Sequence, residues 1–160
     1  MDTRLPARRR LLVSLAAAAL AIRISPARAA AAPVMEVWKE ASCGCCGDWI
    51  PLMRAAGFNV VAHDGGADFA RAKAGIADVF ASCHTAFVGG YAIEGHVPAR
   101  DVHRLLKERP IAIGLSVPGM VNGSPGMEQR GPRPGYTVLL LRRDGGSSVF
   151  ARYAAQAPLS

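Results

Sequence analysis

Hydrophobic and polar residues along the chain follow the period of a strand and the period of a helix in turn. Residues 35–38 and 58–62 predict two short strands, and the run between them, which ends before Gly57, predicts a helix. A second helical run covers residues 67–74 and is followed by Gly75. The first part of this pattern therefore predicts a strand–helix–strand–helix order.

Two apolar runs at residues 85–88 and 91–94 flank a Gly-Gly pair, which predicts a β-hairpin. Pro98 opens a third helical run, and Pro110 ends it. The resulting order, β-α-β-α-β-β-α, is typical of a thioredoxin-like α/β fold.

The C-terminal part adds a loop rich in Pro and Gly at residues 118–135 and two strands at 136–141 and 148–152. We therefore predict a thioredoxin-like α/β fold with a C-terminal Pro/Gly-rich loop and an extra β-hairpin. A single domain over residues 34–155 is long enough to bury a hydrophobic core.

The N-terminus has the layout of a secretory signal. Three arginines at 8–10 precede an apolar run at 11–22, and an A-x-A site ends at Ala29. A membrane span needs ~20 apolar residues, so the run is short for an uncleaved anchor helix, which is the alternative. We predict a signal peptide at residues 1–29, cleavage near Ala29, and a periplasmic protein without a membrane span in the mature chain. The paired arginines make the twin-arginine route a candidate.

The basic charge of the chain lies mostly in this N-terminal segment. The whole chain has 19 basic and 12 acidic side chains, a net charge of +7. Residues 1–29 hold six arginines and one aspartate, so the rest has 13 basic and 11 acidic side chains, a net charge of +2. The sequence shows no basic patch with interleaved aromatic residues, and we expect no nucleic-acid partner.

Three of the four cysteines, Cys43, Cys45 and Cys46, lie within four positions at the start of the first predicted helix. Backbone N–H groups and the helix dipole favour the thiolate there, and the thiolate is both the nucleophile and the metal ligand. Cys43 and Cys46 form a C-x-x-C pair, and Pro51 follows at the spacing seen in thioredoxins. A third thiol between them invites disulfide exchange, so the cluster suits a soft metal better than a redox switch.

Cys83 precedes the third predicted strand, where thioredoxin-like folds carry a cis-proline that faces the C-x-x-C pair. In such a fold Cys83 and its neighbour His84 would lie beside the cluster, so we expect four thiols and an imidazole to converge. A structural disulfide between Cys83 and a cluster cysteine is the alternative, because exported proteins are readily oxidised.

Two methionines, Met120 and Met127, each follow a Pro-Gly dipeptide in the C-terminal loop. Thiolate and thioether ligands select Cu(I), so both methionines are predicted as outer copper ligands. Packing in the core is the alternative for each, and it is the expectation for the helical Met53.

The four histidines differ in their expected roles. His84, next to Cys83, is the candidate imidazole ligand, with a hydrogen-bonded scaffold role as the alternative. His96 is expected to cap the third helix, and His63 and His103 are expected at the surface.

The assembled motifs resemble those of a known family. The shared segments are CGCC, ASCHTAFVGGYAIEGHVPARDVHRLL, GLSVPGM and GSPGME, within residues 34–140. Through them the chain resembles the "domain of unknown function 411" proteins, the CopG-type periplasmic copper-resistance proteins. The resemblance implies a thioredoxin-like fold, export, and a Cu(I) site built from the C-x-C-C cysteines and Cys83.

The sequence thus predicts a periplasmic Cu(I)-binding protein of copper resistance. The predicted ligands are the four cysteines, Met120, Met127 and His84, and four thiolates carry too much charge for one Cu(I), which favours a multinuclear cluster. The predicted partners are copper ions and other periplasmic copper-handling proteins. One alternative is a thiol–disulfide or copper oxidoreductase that uses Cys43 and Cys46; another is a disulfide-braced interaction domain without a metal.

Overall fold

The structure is a computed structural model, and it describes residues 31–159. The predicted signal peptide at residues 1–29 lies outside the described residues. The elements follow in the order β1 (Val34–Lys39), α1 (Gly44–Ala55), β2 (Asn59–His63), α2 (Asp68–Ala74), β3 (His84–Val88), β4 (Tyr91–Glu94), α3 (Ala99–Glu108), β5 (Gly114–Ser116), β6 (Gly131–Arg133), β7 (Tyr136–Leu141), β8 (Ser147–Tyr153) and β9 (Gln156–Leu159). A short 3₁₀ helix at Asp78–Phe80 lies between α2 and β3.

Seven of these strands form one mixed sheet in the order β2-β1-β3-β4-β5-β7-β8, and β6 pairs with β9 separately. Strand β1 lies parallel to β2 and antiparallel to β3. Strand β4 lies antiparallel to β3 and parallel to β5. Helices α1 and α3 lie in the crossovers that parallel neighbours require. Residues 31–159 therefore form a mixed α/β fold with a large mixed sheet and three α-helices.

The β3–β4 hairpin closes at Gly89 and Gly90, whose φ angles are 56° and 88°. Two-residue hairpin turns of this kind need positive φ at both positions, which glycine adopts without strain. A Cβ on Gly89 would lie 2.5 Å from Cδ2 of Leu106, so α3 packs closely against this turn.

The core fills the space between the sheet and the helices. Met35 and Val37, two residues apart on β1, are both fully buried, as the period of a strand requires. Trp49 and Met53 are buried four residues apart on α1, and Leu105 is buried on α3. The predicted core position of Met53 is therefore confirmed.

The predicted order of elements agrees with the observed order from β1 to α3, and the two predicted C-terminal strands are β7 and β8. Strands β5, β6 and β9 were not predicted. Each contains only three or four residues, too few to show a period of two, and β6 and β9 include proline. In the part of the chain that the structure describes, no helix combines the length and apolarity needed to cross a membrane.

Candidate metal centre

The four cysteines lie where the start of α1 meets the start of β3. Cys43 is the N-cap residue of α1, and Cys45 and Cys46 lie in its first turn. Cys83 directly precedes β3, whose first residue pairs with Lys39 at the end of β1. Because β1 and β3 are antiparallel neighbours, the chain leaving β1 and the chain entering β3 meet at one edge of the sheet.

The cysteine sulfur atoms form one compact group, with all four within 4.8 Å of one another. Sγ of Cys45 lies 3.5 Å from Sγ of Cys43 and 3.8 Å from Sγ of Cys83. Sγ of Cys46 lies 3.6 Å from the carbonyl oxygen of Cys83. The structure therefore brings together the four sulfur atoms that the sequence predicted to converge.

Two of these cysteines are oxidised. Cys43 and Cys46 are joined by a disulfide, whereas Cys45 and Cys83 are free thiols. The alternative of a structural disulfide to Cys83 is therefore wrong in this state. Reduction of the Cys43–Cys46 bridge by two electrons and two protons would raise the number of thiols from two to four.

Cys83 also belongs to a second group of possible ligands, with His84 and His96, whose ligand atoms again lie within 4.8 Å of one another. Sγ of Cys83 lies 3.5 Å from Nδ1 of His84 and 3.0 Å from Nε2 of His96. One sulfur atom is therefore shared by a thiol-rich group and an imidazole-rich group.

His96 is the residue that the sequence analysis missed, and its predicted capping role is wrong. Pro98 is the N-cap residue of α3, and no side chain makes a capping hydrogen bond there. His96 is fully buried, and its Nδ1 lies 2.7 Å from the carbonyl oxygen of Pro125. A carbonyl oxygen can only accept, so Nδ1 carries the proton and the lone pair of Nε2 faces Cys83.

The register of the β3–β4 hairpin could have predicted the position of His96. Val88 pairs with Tyr91 across the two-residue turn. Antiparallel pairing continued outward from that pair places position 96 opposite position 83. A Gly-Gly turn in the sequence therefore sets Cys83 and His96 at matching positions beyond the two strands.

Burial controls the protonation of these groups. Burial, and to a lesser degree the neighbouring Cys45, raises the pKa of the Cys83 thiol to about 12. Burial, followed by the nearby His96, lowers the pKa of His84 to about 3. Burial also lowers the pKa of His96. Both imidazoles are neutral at pH 7 and can bind a metal directly, whereas Cys83 must lose a proton to do so.

His84 packs between Cys83 and Trp49. Its ring lies 4.5 Å from the ring of Trp49, measured between centroids, and the Trp49 indole donates a hydrogen bond of 3.0 Å to the carbonyl of Val97. Nε2 of His84 is buried and has no hydrogen-bond partner among residues 31–159. A buried ring nitrogen without a partner is costly, and no scaffold hydrogen bond among the described residues accounts for this one.

The C-terminal loop packs over the surroundings of the cysteines. The Ser82 hydroxyl donates a hydrogen bond of 2.5 Å to the carbonyl of Gly119. Gly126, at a φ of 79°, approaches α1 so closely that a Cβ there would lie 2.7 Å from the backbone nitrogen of Trp49. The loop is therefore in contact with both segments that carry cysteines.

The two methionines of this loop differ in burial. Met127 is 6% exposed, whereas Met120 is 63% exposed. Met127 is therefore buried as a core residue would be, whereas Met120 is not. Of the other histidines, His103 is exposed on α3, and His63 is half-buried and stacks on Trp38.

The fold and the site together define a mixed α/β protein with a candidate soft-metal centre of cysteine sulfur and buried imidazole. The profile of the family described as "Protein of unknown function, DUF411" matches residues 80–127. A solved structure of copper resistance protein copG, Form 2, is 41% identical with a TM-score of 0.71, covering 76% of this chain and 98% of that chain. Form 1 is 42% identical with a TM-score of 0.69, covering 76% and 97%. No curated protein matches the chain. The chain belongs to the DUF411 family of CopG-type proteins, which confirms the family predicted from the sequence.

Proposed function

We propose that this protein is a periplasmic Cu(I)-binding protein of copper resistance that holds its copper as a multinuclear thiolate cluster. The position of Cys83 carries the proposal, because its sulfur belongs both to the four-cysteine group and to the group with His84 and His96. A thiolate sulfur can bridge two soft cations. Copper ions on either side of Cys83 would therefore share its charge.

The ligand set favours Cu(I) over harder ions. Thiolate selects Cu(I), zinc or iron–sulfur clusters, and a thioether ligand distinguishes Cu(I) from zinc. The two neutral imidazoles add ligands without adding charge. Met120 and Met127 are the proposed outer ligands. The solved relatives carry the name of a copper resistance protein, which supports copper as the bound metal.

The proposal includes a thioredoxin-like arrangement and export. The strand order β2-β1-β3-β4, with α1 after β1 and α3 after β4, supports the thioredoxin-like arrangement. The signal-like segment at residues 1–29 supports the periplasmic location.

Titration of the fully reduced mature protein with Cu(I), in competition with a Cu(I) chelator, tests the cluster. We expect more than one Cu(I) per chain and strong preference over Zn(II). Cys83→Ser should reduce binding as much as Cys45→Ser, because each removes one of the converging sulfurs. Ser42→Ala, an exposed change in the same loop, is the matched control. A stoichiometry of one or less, equal retention of zinc, or normal binding by Cys83→Ser would contradict the proposal.

The Cys43–Cys46 disulfide favours a second candidate function, a thiol–disulfide or copper oxidoreductase. Two thiolates that form this bridge release two electrons, which two Cu(II) ions would accept to become Cu(I). General disulfide reduction is less favoured, because Sγ of Cys45 lies 3.5 Å from Sγ of Cys43 and would compete with a substrate for a mixed disulfide.

Two assays separate these activities. We expect insulin reduction far slower than that of a thioredoxin, and turnover comparable to a thioredoxin would favour the thiol–disulfide function. Anaerobic addition of Cu(II) to the reduced protein should yield two Cu(I) for each Cys43–Cys46 bridge formed. Equal Cu(II) reduction by Cys46→Ser would exclude this bridge as the electron source.

A further inference from the structure

Glu94, the last residue of β4, carries a fully buried carboxylate that accepts three hydrogen bonds. Its Oε1 accepts from the backbone N–H of Ser82 at 2.6 Å and from Nε of Arg71 at 3.0 Å. Its Oε2 accepts from the hydroxyl of Thr85 at 2.6 Å. A buried carboxylate is costly unless it is paired in this way. Loss of the Glu94 carboxylate would likewise leave its three buried donors without an acceptor.

Arg71, on α2, completes the arrangement. While Nε donates to Glu94, Nη2 donates to the carbonyl oxygen of Ser82 at 2.7 Å. Nη1 donates to Asp68 at 2.7 Å on the exposed side of the helix. The side chain of Arg71 is 11% exposed, so most of the guanidinium is removed from water.

Both backbone groups of Ser82 are therefore held by one buried ion pair, the N–H by Glu94 and the carbonyl by Arg71. Ser82 is bonded directly to Cys83, whose sulfur lies 3.8 Å from that of Cys45. Residues 81–83, between the 3₁₀ helix and β3, have no regular structure, and the loop after β5 also contacts them through Gly119. The ion pair thus fixes the backbone immediately before the shared sulfur.

We propose that Arg71 and Glu94 are positioning residues. They hold Sγ of Cys83 close enough to Sγ of Cys45, 3.8 Å away, for the two sulfurs to form a disulfide or to bind copper together. The link between this arrangement and copper binding rests on the proposed function, whereas the hydrogen bonds that form the arrangement do not. In residues 31–159 no hydrogen bond joins either side chain to a proposed copper ligand, and both side chains hold the backbone of Ser82. Lysine at position 71 would keep the charge, but its single ammonium lacks the planar fork that reaches Glu94 and the Ser82 carbonyl together.

The test measures the geometry without copper. In protein with the Cys43–Cys46 bridge intact, diamide, which takes up two electrons and two protons, should oxidise the thiols of Cys45 and Cys83 to a second disulfide. The initial rate of this step reports how closely the two sulfurs are held. We expect Arg71→Lys and Glu94→Gln to slow this step by about tenfold or more, since displacement of reacting groups by about 1 Å has large effects on rate. Cu(I) affinity of the reduced variants should fall by about tenfold, or about 1.4 kcal/mol.

Two matched controls separate positioning from loss of stability. Arg104→Lys changes an arginine that donates a hydrogen bond to the carbonyl of Phe150. Asp101→Asn changes a buried carboxylate that accepts a hydrogen bond from the hydroxyl of Tyr153. Variants and controls are compared at equal distance below their melting temperatures. If Glu94→Gln does not fold, the rate of disulfide formation in Arg71→Lys alone decides whether the positioning role holds.

Rates of Cys45–Cys83 disulfide formation equal to those of the controls would overturn the positioning role. Slow bridging combined with unchanged Cu(I) affinity would overturn its link to copper binding. If the wild-type protein itself fails to bind Cu(I) while the bridging rates still differ, the copper proposal fails and the positioning role stands.

Discussion

His84 is a titratable side chain that folding removes from water. Its pKa is about 3 in the folded protein, mainly through burial and then through His96, against an ordinary value of 6.5. Below pH 6.5 the unfolded chain therefore binds a proton that the folded chain rejects. The free energy of unfolding must fall as the pH decreases from about 6.5 towards about 3.

At the residue scale, we predict that His84→Gln weakens the acid sensitivity of the metal-free, disulfide-containing protein. One group contributes at most about 1.4 kcal/mol per pH unit, so His84 should account for about 2 kcal/mol of stability lost between pH 6.5 and pH 5. Glutamine is neutral throughout this range. Urea unfolding at pH 7, 6 and 5 measures the difference.

The control for this experiment is Met53→Leu, a core change that adds and removes no titratable group. It should lower stability at every pH and keep the wild-type pH dependence. The linkage to His84 is refuted if His84→Gln loses as much stability on acidification as the wild type does.

At the scale of elements, the site depends on the loop between β5 and β6 as well as on α1 and β3. This loop contacts Ser82 through Gly119 and contacts the backbone of α1 through Gly126. It also supplies the carbonyl of Pro125 that sets the proton of His96 on Nδ1. The β5–β6 loop therefore also orients His96, a member of the second group of ligands.

We predict that the two loop methionines contribute to Cu(I) binding and differ in their effect on folding. Met127→Leu should cost under about 1.5 kcal/mol of stability, because leucine nearly matches the buried methionine in volume. Met120→Leu should change stability by less than about 0.5 kcal/mol, because the side chain is mostly exposed. The double variant should bind Cu(I) about tenfold more weakly if about 1.4 kcal/mol of ligation is lost.

Thermal unfolding of the metal-free protein and chelator competition measure these two effects. Met53→Leu is the matched control, since it changes a fully buried methionine on α1 and should leave Cu(I) affinity unchanged. Unchanged affinity in the double variant, with a loss of stability, would make the methionines packing residues only.

At the scale of the whole molecule, the described fold begins after the signal-like segment. Strand β1 starts at Val34, and the mixed sheet and its core are complete within residues 31–159. Residues 1–29 carry six of the arginines and one aspartate, so their removal lowers the net charge from +7 to +2.

We predict that protein recovered from the periplasm lacks residues 1–29, which intact-mass measurement will show directly. A chain expressed from residue 30 should have the same melting temperature and Cu(I) affinity as the exported protein, because cleavage after Ala29 leaves the same chain. A periplasmic mass that retains residues 1–29 would instead support the uncleaved anchor.

The first seven elements and the cluster of Cys43, Cys45 and Cys46 were predictable because their signals are local. Strand and helix periods, the Gly-Gly turn and the C-x-C-C spacing are each contained in a few consecutive residues. Cys83 was placed beside the cluster through a resemblance to thioredoxin-like order, and the structure confirms this position, with its sulfur 3.8 Å from that of Cys45. Strands β5, β6 and β9 were missed because each owes its conformation to a neighbouring strand and not to its own sequence.

The chemistry available to this protein can be read from its residues alone: four thiols, thioethers in a Pro/Gly loop and a family-specific set of motifs. The three-dimensional fold was needed to establish which sulfur atoms are bridged, that His96 faces Cys83, and that Met127 is buried whereas Met120 is not. The same holds for the Arg71–Glu94 pair behind Ser82. Such contacts join segments distant in sequence, and they depend on strand register and on which charges burial leaves without water, neither of which a local pattern records.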